Sequence, residues 1–272
     1  MYADLSRPPL NAAALSRAVV YGGSLWRSVR VVASTGSTNA DVAEAARGGA
    51  PEGVVLAAEE QTLGRGRLDR GWVSPLQAGL TFSVLLRPPG DIPPSRWGWL
   101  PLLAGVALVD TVRGQGEVPT WLKWPNDLLL GQHRYKAAGV LAEVVDDAVV
   151  LGIGLNVSTR QDELPEEATS LALEGASCAD RDTLLRAILR ELESRYRPWC
   201  GGLGDAVGSG LLASYVDACD TLGREVSVAV PGGPPVRGRA EAIDSAGRLL
   251  VRVGESVHAL AAGDVTQLRT AE

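Results

Sequence analysis

The sequence predicts a mixed helix-and-strand domain of catalytic size followed by a small all-β domain. Three observations carry that prediction. The chain has 272 residues, 46% of them apolar, enough for one moderate domain with a sizeable core plus a small second one. Up to about residue 220, segments of strand and helical period alternate, with a strand meander between Thr120 and Val157. The last fifty residues hold only short strands separated by turn residues. The boundary is placed near Leu222, giving expected domains 22–221 and 222–270.

Taken in order, Val29 to Ala33 reads as a short strand. TGSTNADVAEAARGG follows as a short helix, with Thr38 as N-cap, Asp41 three residues on and Gly48 at its end. Gly53 to Glu60 reads as a buried strand. GLTFSVLLRP is another, stopped by Pro88 and Pro89. Trp97 to Arg113 has helical spacing in Trp99, Leu102, Leu103, Val106 and Val109, with Pro101 tolerated in the first turn. The meander is expected to hold three strands, TWLKWPNDLLL, KAAGVLAEVV and AVVLGIGLNV, joined at GQHR and at Asp146–Asp147. Helices are expected over Asp182 to Tyr196 and Gly210 to Asp220. EVSVAV, VRGRAEAI, RLLVRV and VHALAA, separated by PGGPP, DSAG and GES, read as a small β-barrel or sandwich. There is no internal repeat and no low-complexity tract.

Composition excludes several function classes. The formal net charge is −6, which argues against a general nucleic-acid binder. Three cysteines, Cys178, Cys200 and Cys219, lack CxxC spacing and fit a reducing compartment. The two histidines, His133 and His258, fall in hairpin-like regions without a partner motif, which disfavours a zinc site or a Ser–His–Asp triad. No residue is assigned as a metal ligand. The N-terminal MYADLSRPPLNAAALS is neither a signal peptide nor a membrane span, and no stretch reaches about 18 uninterrupted apolar residues. A cytoplasmic protein that engages neither membrane nor nucleic acid is expected.

Chemistry concentrates in five motifs. EEQTLGRGRLDRGW, residues 59–72, sets Arg65, Arg67 and Arg70 among Gly64, Gly66 and Gly71 and closes on Trp72. It is not a Walker A loop, since no Lys-Ser/Thr pair follows the glycines. It is not a dinucleotide fingerprint, since Asp69 stands at the third glycine position. The choice is between an exposed turn and an oxyanion clamp. Guanidinium forks grip carboxylate or phosphate bidentately, and glycines let backbone approach the ligand, so the clamp is favoured. Such a loop is expected to be mobile when empty and to order over its ligand. In GSTN, Ser37, Thr38 and Asn39 either cap a helix or present hydroxyls and an amide to a neutral polar ring. KWPND either makes a turn or places Lys123 and Asp127 among apolar strand residues for a purpose. Lys136 in YKAAGVLAE is either an edge lysine or a functional one. Gly152 and Gly154 in GIGLNV imply that another group packs directly on the strand backbone.

In that order STN, QTLGRGRLDRGW, KWPND, KAAGVLAE and GIGLNV resemble the biotin–protein ligases, from about Val31 to Leu171. The resemblance continues loosely through the C-terminal strands, which look like that family's small SH3-like domain. It implies an α+β catalytic domain like that of class II aminoacyl-tRNA synthetases, a mixed sheet with flanking helices. It also implies activation of biotin by ATP to biotinyl-5′-AMP, with Mg²⁺, and transfer to a lysine of a carboxylase carrier domain. By that resemblance Ser37, Thr38, Asn39 and Gln61 would bind the biotin ureido end. Arg65, Gly66 and Arg67 would cover the adenylate, Lys136 would contact carboxylate and phosphate, and Asn156 would lie near adenine. Gly64, Trp72, Lys123 and Gly139 complete the implied binding set. Lys136, Arg67 and Asp127 are the expected catalytic residues, Asp127 orienting the acceptor amine.

Two anions meet in such an activation, so it needs neutralising charge rather than a general base, which fits the scarcity of histidine. Only about thirty residues precede the first motif strand, and they are not basic. That is too little for the helix-turn-helix module many members carry. A monomer or weak homodimer is expected. The competing expectations are a lipoate or octanoate ligase, disfavoured by the GRGRxxRxW pattern, and a non-enzymatic biotin or nucleotide sensor, disfavoured by the presence of both Lys136 and Asp127.

Overall fold

The computed structural model describes residues 7–67, 70–230, 232–261 and 263–267. Leu68 and Asp69 of the arginine loop, Pro231 of PGGPP, Ala262 of VHALAA and residues 268–270 of the expected second domain lie outside the described residues. Seven strands form the first sheet: β1 (Ser28–Val32), β2 (Val54–Ala58), β3 (Gly79–Leu86), β4 (Thr120–Lys123), β5 (Asp127–Leu130), β6 (Tyr135–Val145) and β7 (Ala148–Asn156). Their order is β1-β2-β3-β7-β6-β5-β4. β1 and β2 are parallel and the other neighbours antiparallel, so the sheet is mixed.

Helices cover both faces. α1 (Ala12–Val19), α3 (Trp99–Thr111) and α4 (Arg181–Gly201) bury residues in one large apolar cluster with Leu80, Phe82, Val84 and Leu86. α3 is apolar almost all round and lies buried at the centre. α4 buries one stripe, Leu184, Leu185, Ile188, Leu189, Leu192 and Tyr196, as its helical spacing requires. On the other face α2 (Thr38–Arg47) seats Val42, Ala43 and Ala46 on Leu56, Leu85 and Val150. Strand alternation divides β3 accordingly. Its even residues enter the large core, and its odd residues, Thr81, Ser83 and Leu85, face α2.

The second sheet has order β11-β10-β9-β8-β12, all antiparallel. Its strands are β8 (Glu225–Ala229), β9 (Val236–Ile243), β10 (Leu249–Val253), β11 (Ser256–Leu260) and β12 (Asp264–Gln267). The large core runs without a break into it through Val226, Val228, Ala240, Ile243, Leu249 and Val251. Two tryptophans of the first sheet and its helices are tied to the β9–β10 turn. Trp99 Nε1 donates to Ser245 O (2.8 Å) and Trp124 Nε1 to Gly247 O (3.1 Å).

Several expectations are corrected. TWLKWPNDLLL is not one strand but a hairpin, β4 and β5, turning through Trp124–Asn126, so the meander has four strands. A proline two residues before the second strand cannot donate to a ladder, and the turn forms there. The cap of α2 is Ser37, whose side chain accepts from Ala40 N, and Thr38 is the first helical residue. The helix expected to Arg113 ends at Thr111 and continues as a wider turn, Val112–Gly116. The helix expected over Gly210 to Asp220 is α5 (Leu211–Ala218). α1 and β12 carried no expectation. Only Leu15 and Val19 of α1 are buried, too sparse a stripe to read.

Candidate active site

The site lies on the α2 face of the sheet, where the strands give up their side chains. On the three central strands the positions facing α2 near the cleft are Ser83, Gly139, Gly152 and Gly154. A Cβ on Gly152 would stand 2.0 Å from Asn39 Oδ1, and one on Gly154 2.3 Å from Trp72 Cε2. The strand glycines therefore exist to seat Asn39 and the Trp72 indole on bare backbone, as their sequence context implied.

The polar end of the cleft is built from the start of α2. Thr38 donates from its backbone N–H (2.8 Å) and its hydroxyl (2.9 Å) to Gln61 Oε1. Ser83 Oγ donates to Asn39 Oδ1 at 2.6 Å and lies 2.8 Å from the Thr38 hydroxyl. Asn39 Nδ2 donates to Glu143 Oε2 at 2.7 Å. Ser37, Thr38, Asn39 and Ser83 are all buried. Each is oriented by a neighbour, so the cluster offers hydroxyls and amides in fixed positions.

The arginine loop folds back on itself. Trp72 N donates to Gly64 O (2.9 Å), and a Cβ on Gly64 would stand 2.2 Å from Trp72 O, so only glycine fits. Arg65 pairs with Glu143 (3.2 Å). Arg67 donates to Asn126 Oδ1 (3.1 Å), and Asn126 donates in turn to Val140 O (2.8 Å). Trp72 Nε1 is buried and has no hydrogen-bond partner among the described residues. A buried indole donor left unpaired beside a polar cleft is a place for a ligand acceptor.

At the other end Asp127, buried at 7% exposure, sits between two ammonium groups. Lys136 Nζ is 2.7 Å from Oδ1 and Lys123 Nζ 3.4 Å from Oδ2. A bulge aims Lys136. The β5–β6 register shifts between Leu128 and Leu129, pairing Leu128 with Ala138 but Leu129 with Lys136, so Ala137 is the extra residue. Ala138 and Val140 enter the core, and without the bulge Lys136 would follow them. With it, Lys136 shares the cleft face with Gly139, and its ammonium lies 5.9 Å from the Trp72 ring centroid.

Comparison with known proteins identifies the arrangement. Residues 31–159 match the Biotin/lipoate A/B protein ligase family, and residues 221–266 match the biotin protein ligase C terminal domain. The Biotin--[acetyl-CoA-carboxylase] ligase of Mycobacterium tuberculosis is 45% identical over 270 residues, covering 98% of each chain. The chain belongs to the biotin protein ligase family. The bifunctional ligase/repressor BirA of Escherichia coli is 31% identical over 79% of this chain and 66% of its own length. The biotin protein ligase of Aquifex aeolicus, solved in complex with biotin and ATP, aligns with a TM-score of 0.74 and 28% identity, covering 90% of this chain and 100% of that one.

In this ligase Ser37, Thr38, Asn39, Gln61, Arg65, Gly66, Arg67, Trp72, Asp127, Lys136 and Gly139 line one cleft. Gly64 lines the adjoining hollow behind the loop, and Lys123 a groove on the far side of Asp127. Asn156 lines none of these. It is buried at the end of β7, donating to Thr169 O at 3.0 Å. Sequence reasoning passed over Ser83, Asn126 and Glu143. Ser83, with Thr81 two residues before it, and Glu143 are polar residues inside otherwise apolar strands, a signal that was present. Asn126 read only as a turn residue.

Proposed function

We propose that this ligase activates biotin with ATP to biotinyl-5′-AMP and transfers biotin to a lysine of a biotin carboxyl carrier domain. The Lys136–Asp127–Lys123 cluster and the arginine loop would serve both steps. The observation that carries the reading is one cleft with a neutral polar end at Ser37–Asn39 and Gln61 and a cationic end at Lys136. A ureido ring suits the first and a carboxylate the second.

In the first step an oxygen of the biotin carboxylate attacks the α-phosphorus of ATP. The bond to the bridging oxygen breaks and its electron pair leaves with diphosphate. Arg65, Arg67 and Lys136 neutralise the meeting anions. Mg²⁺ would arrive on the nucleotide phosphates. Among the described residues no group of three or more metal-binding side chains is present, and Asp127 is the carboxylate lining the cleft that would take one position on the ion.

In the second step the carrier lysine attacks the acyl carbon and AMP leaves. An unperturbed lysine has a pKa near 10.4, so its ammonium must first give up a proton. Asp127, which already holds two ammonium groups, would orient the incoming amine in exchange with Lys123 and accept the proton it loses, while the acyl–oxygen bond breaks and its electron pair leaves with AMP. Trp72 and Gly139 form the floor of the cleft, and Gly64 and Gly66 the hinges of a loop that orders over the adenylate. Asn156 would support the adenine side through the 167–171 segment. By family resemblance the catalytic domain, 22–221, is like class II aminoacyl-tRNA synthetases, and residues 222–270 form an SH3-like unit.

The test mixes the purified chain with biotin, ATP, Mg²⁺ and a carrier domain and detects label with streptavidin. Label is expected with biotin, and when lipoate replaces it the intact mass of the carrier should stay unchanged. Tighter calorimetric binding of lipoate than of biotin would overturn the substrate assignment.

A further inference from the structure

Glu143 stands apart from the residues that line the cleft, yet it holds two of them. It lies on β6, on the face that carries Gly139, and lines the hollow behind the arginine loop. Its cross-strand partner Val150 packs under α2. One oxygen, Oε2, accepts from Asn39 Nδ2 at 2.7 Å and from Arg65 at 3.2 Å. Asn39 belongs to the polar end of the cleft, and Arg65 is the first arginine of the loop.

The Asn39 amide has two orientations related by a half-turn, and its neighbours decide between them. Ser83 Oγ, 2.6 Å from Oδ1, decides nothing, because a hydroxyl donates or accepts equally well. Leu141 O is 3.4 Å from Nδ2, too far to hold it strongly. A carboxylate accepts only. Glu143 is therefore the neighbour that turns the nitrogen towards β6 and leaves Oδ1 over Gly152, which lines the cleft. Oδ1 takes one hydrogen bond from Ser83 and keeps a second lone pair for a ligand N–H. Turned the other way, the amide would meet that N–H with a donor of its own.

We propose that Glu143 is a positioning residue for biotin activation: it fixes the Asn39 amide with its oxygen towards the N–H groups of the ureido ring, and it registers Arg65 on that same amide. The proposal rests on the biotin reading above. Arg65 is half exposed, and an exposed ion pair is weak, so the carboxylate locates the guanidinium without immobilising it. The ring-binding end and the first residue of the clamp thus share one anchor, and a change at either is felt at the other.

The experiment uses the full chain, the variants Glu143→Gln, Asn39→Ala and Arg65→Gln, and the two double variants that contain Glu143→Gln. Glutamine matches glutamate in size but donates as well as accepts, so it releases the amide without opening a cavity. Biotin affinity by calorimetry should fall about tenfold in Glu143→Gln. In the Asn39→Ala background the same substitution should cost nothing further, because Glu143 acts through the amide. A residue that merely props the fold would give additive losses. For biotinyl-AMP the losses of Glu143→Gln and Arg65→Gln should likewise fail to add. One arm needs no variant: by NMR the Asn39 side-chain amide protons of the parent chain should exchange slowly with water. Unchanged biotin affinity, additive losses in both cycles, or fast exchange in the parent would each overturn the proposal. A parent chain that binds biotin while Glu143→Gln matches it overturns the proposal alone, whereas a parent that binds no biotin overturns the ligase reading with it.

Discussion

At the scale of single residues the site depends on absent side chains as much as on present ones. Gly154→Ala should leave the fold intact, because the group displaced is a loop tryptophan. The new methyl would take the place of the Trp72 indole, whose Nε1 it would meet at 2.5 Å. Biotinyl-AMP affinity is expected to fall at least about tenfold by calorimetry, with little change in Tm. Arg67→Ala removes a guanidinium held by Asn126 and should weaken biotinyl-AMP binding by about 2–4 kcal/mol. Unchanged affinity would remove this arginine from the clamp. Away from the site, Glu163 accepts both terminal nitrogens of buried Arg7, and that hydrogen bonding holds its carboxyl below the usual range of 4.5. A depressed folded pKa gives stability that is present above the unfolded value and is lost as pH falls through the folded one. Tm measured from pH 7 down to pH 3 should therefore fall less steeply for Glu163→Gln than for the parent.

At the scale of elements the bulge at Ala137 is the decisive device. Inserting one alanine between Leu128 and Leu129 gives Ala137 a partner, restores a continuous β5–β6 ladder and turns Lys136 toward Ala138's side of the sheet, into the core. Such a variant should lose adenylation entirely, and it should lose stability as well, since an ammonium would enter apolar surroundings. Substituting Lys136→Met should abolish adenylation with stability retained, and single-turnover rates with thermal melts separate the two. This also marks what the sequence could convey. α2, β3, α4 and the strands from β8 to β11 were legible because each carries its own apolar period and stop signals. The bulge was not, because a register shift is a relation between two strands and leaves no mark in either. The hairpin hidden in TWLKWPNDLLL was missed for the opposite reason, since its apolar residues run on across the turn. In the site, the glycines of β7 announced close packing. Which group would fill the space was visible only once α2 and the loop were placed.

At the scale of the whole molecule the two sheets share one core. A chain ending at residue 221 would expose the apolar surfaces of Trp99, Trp124 and Leu102 that the second sheet covers, and it should aggregate or express as insoluble protein. Recovery of a soluble, cooperatively melting fragment would contradict this.

The tie at Trp124 reaches further than stability. Its indole is held by Gly247 O and its backbone N–H by Thr221 Oγ1, and the next three residues are Pro125, Asn126 and Asp127. Through Gly247 the turn between β9 and β10 thus moors the short stretch that supplies both the anchor of Arg67 and the carboxylate between the lysines. An inhibitor wedged beneath that tryptophan, against the turn between β9 and β10, would slacken the turn carrying Asn126 and Asp127 from behind.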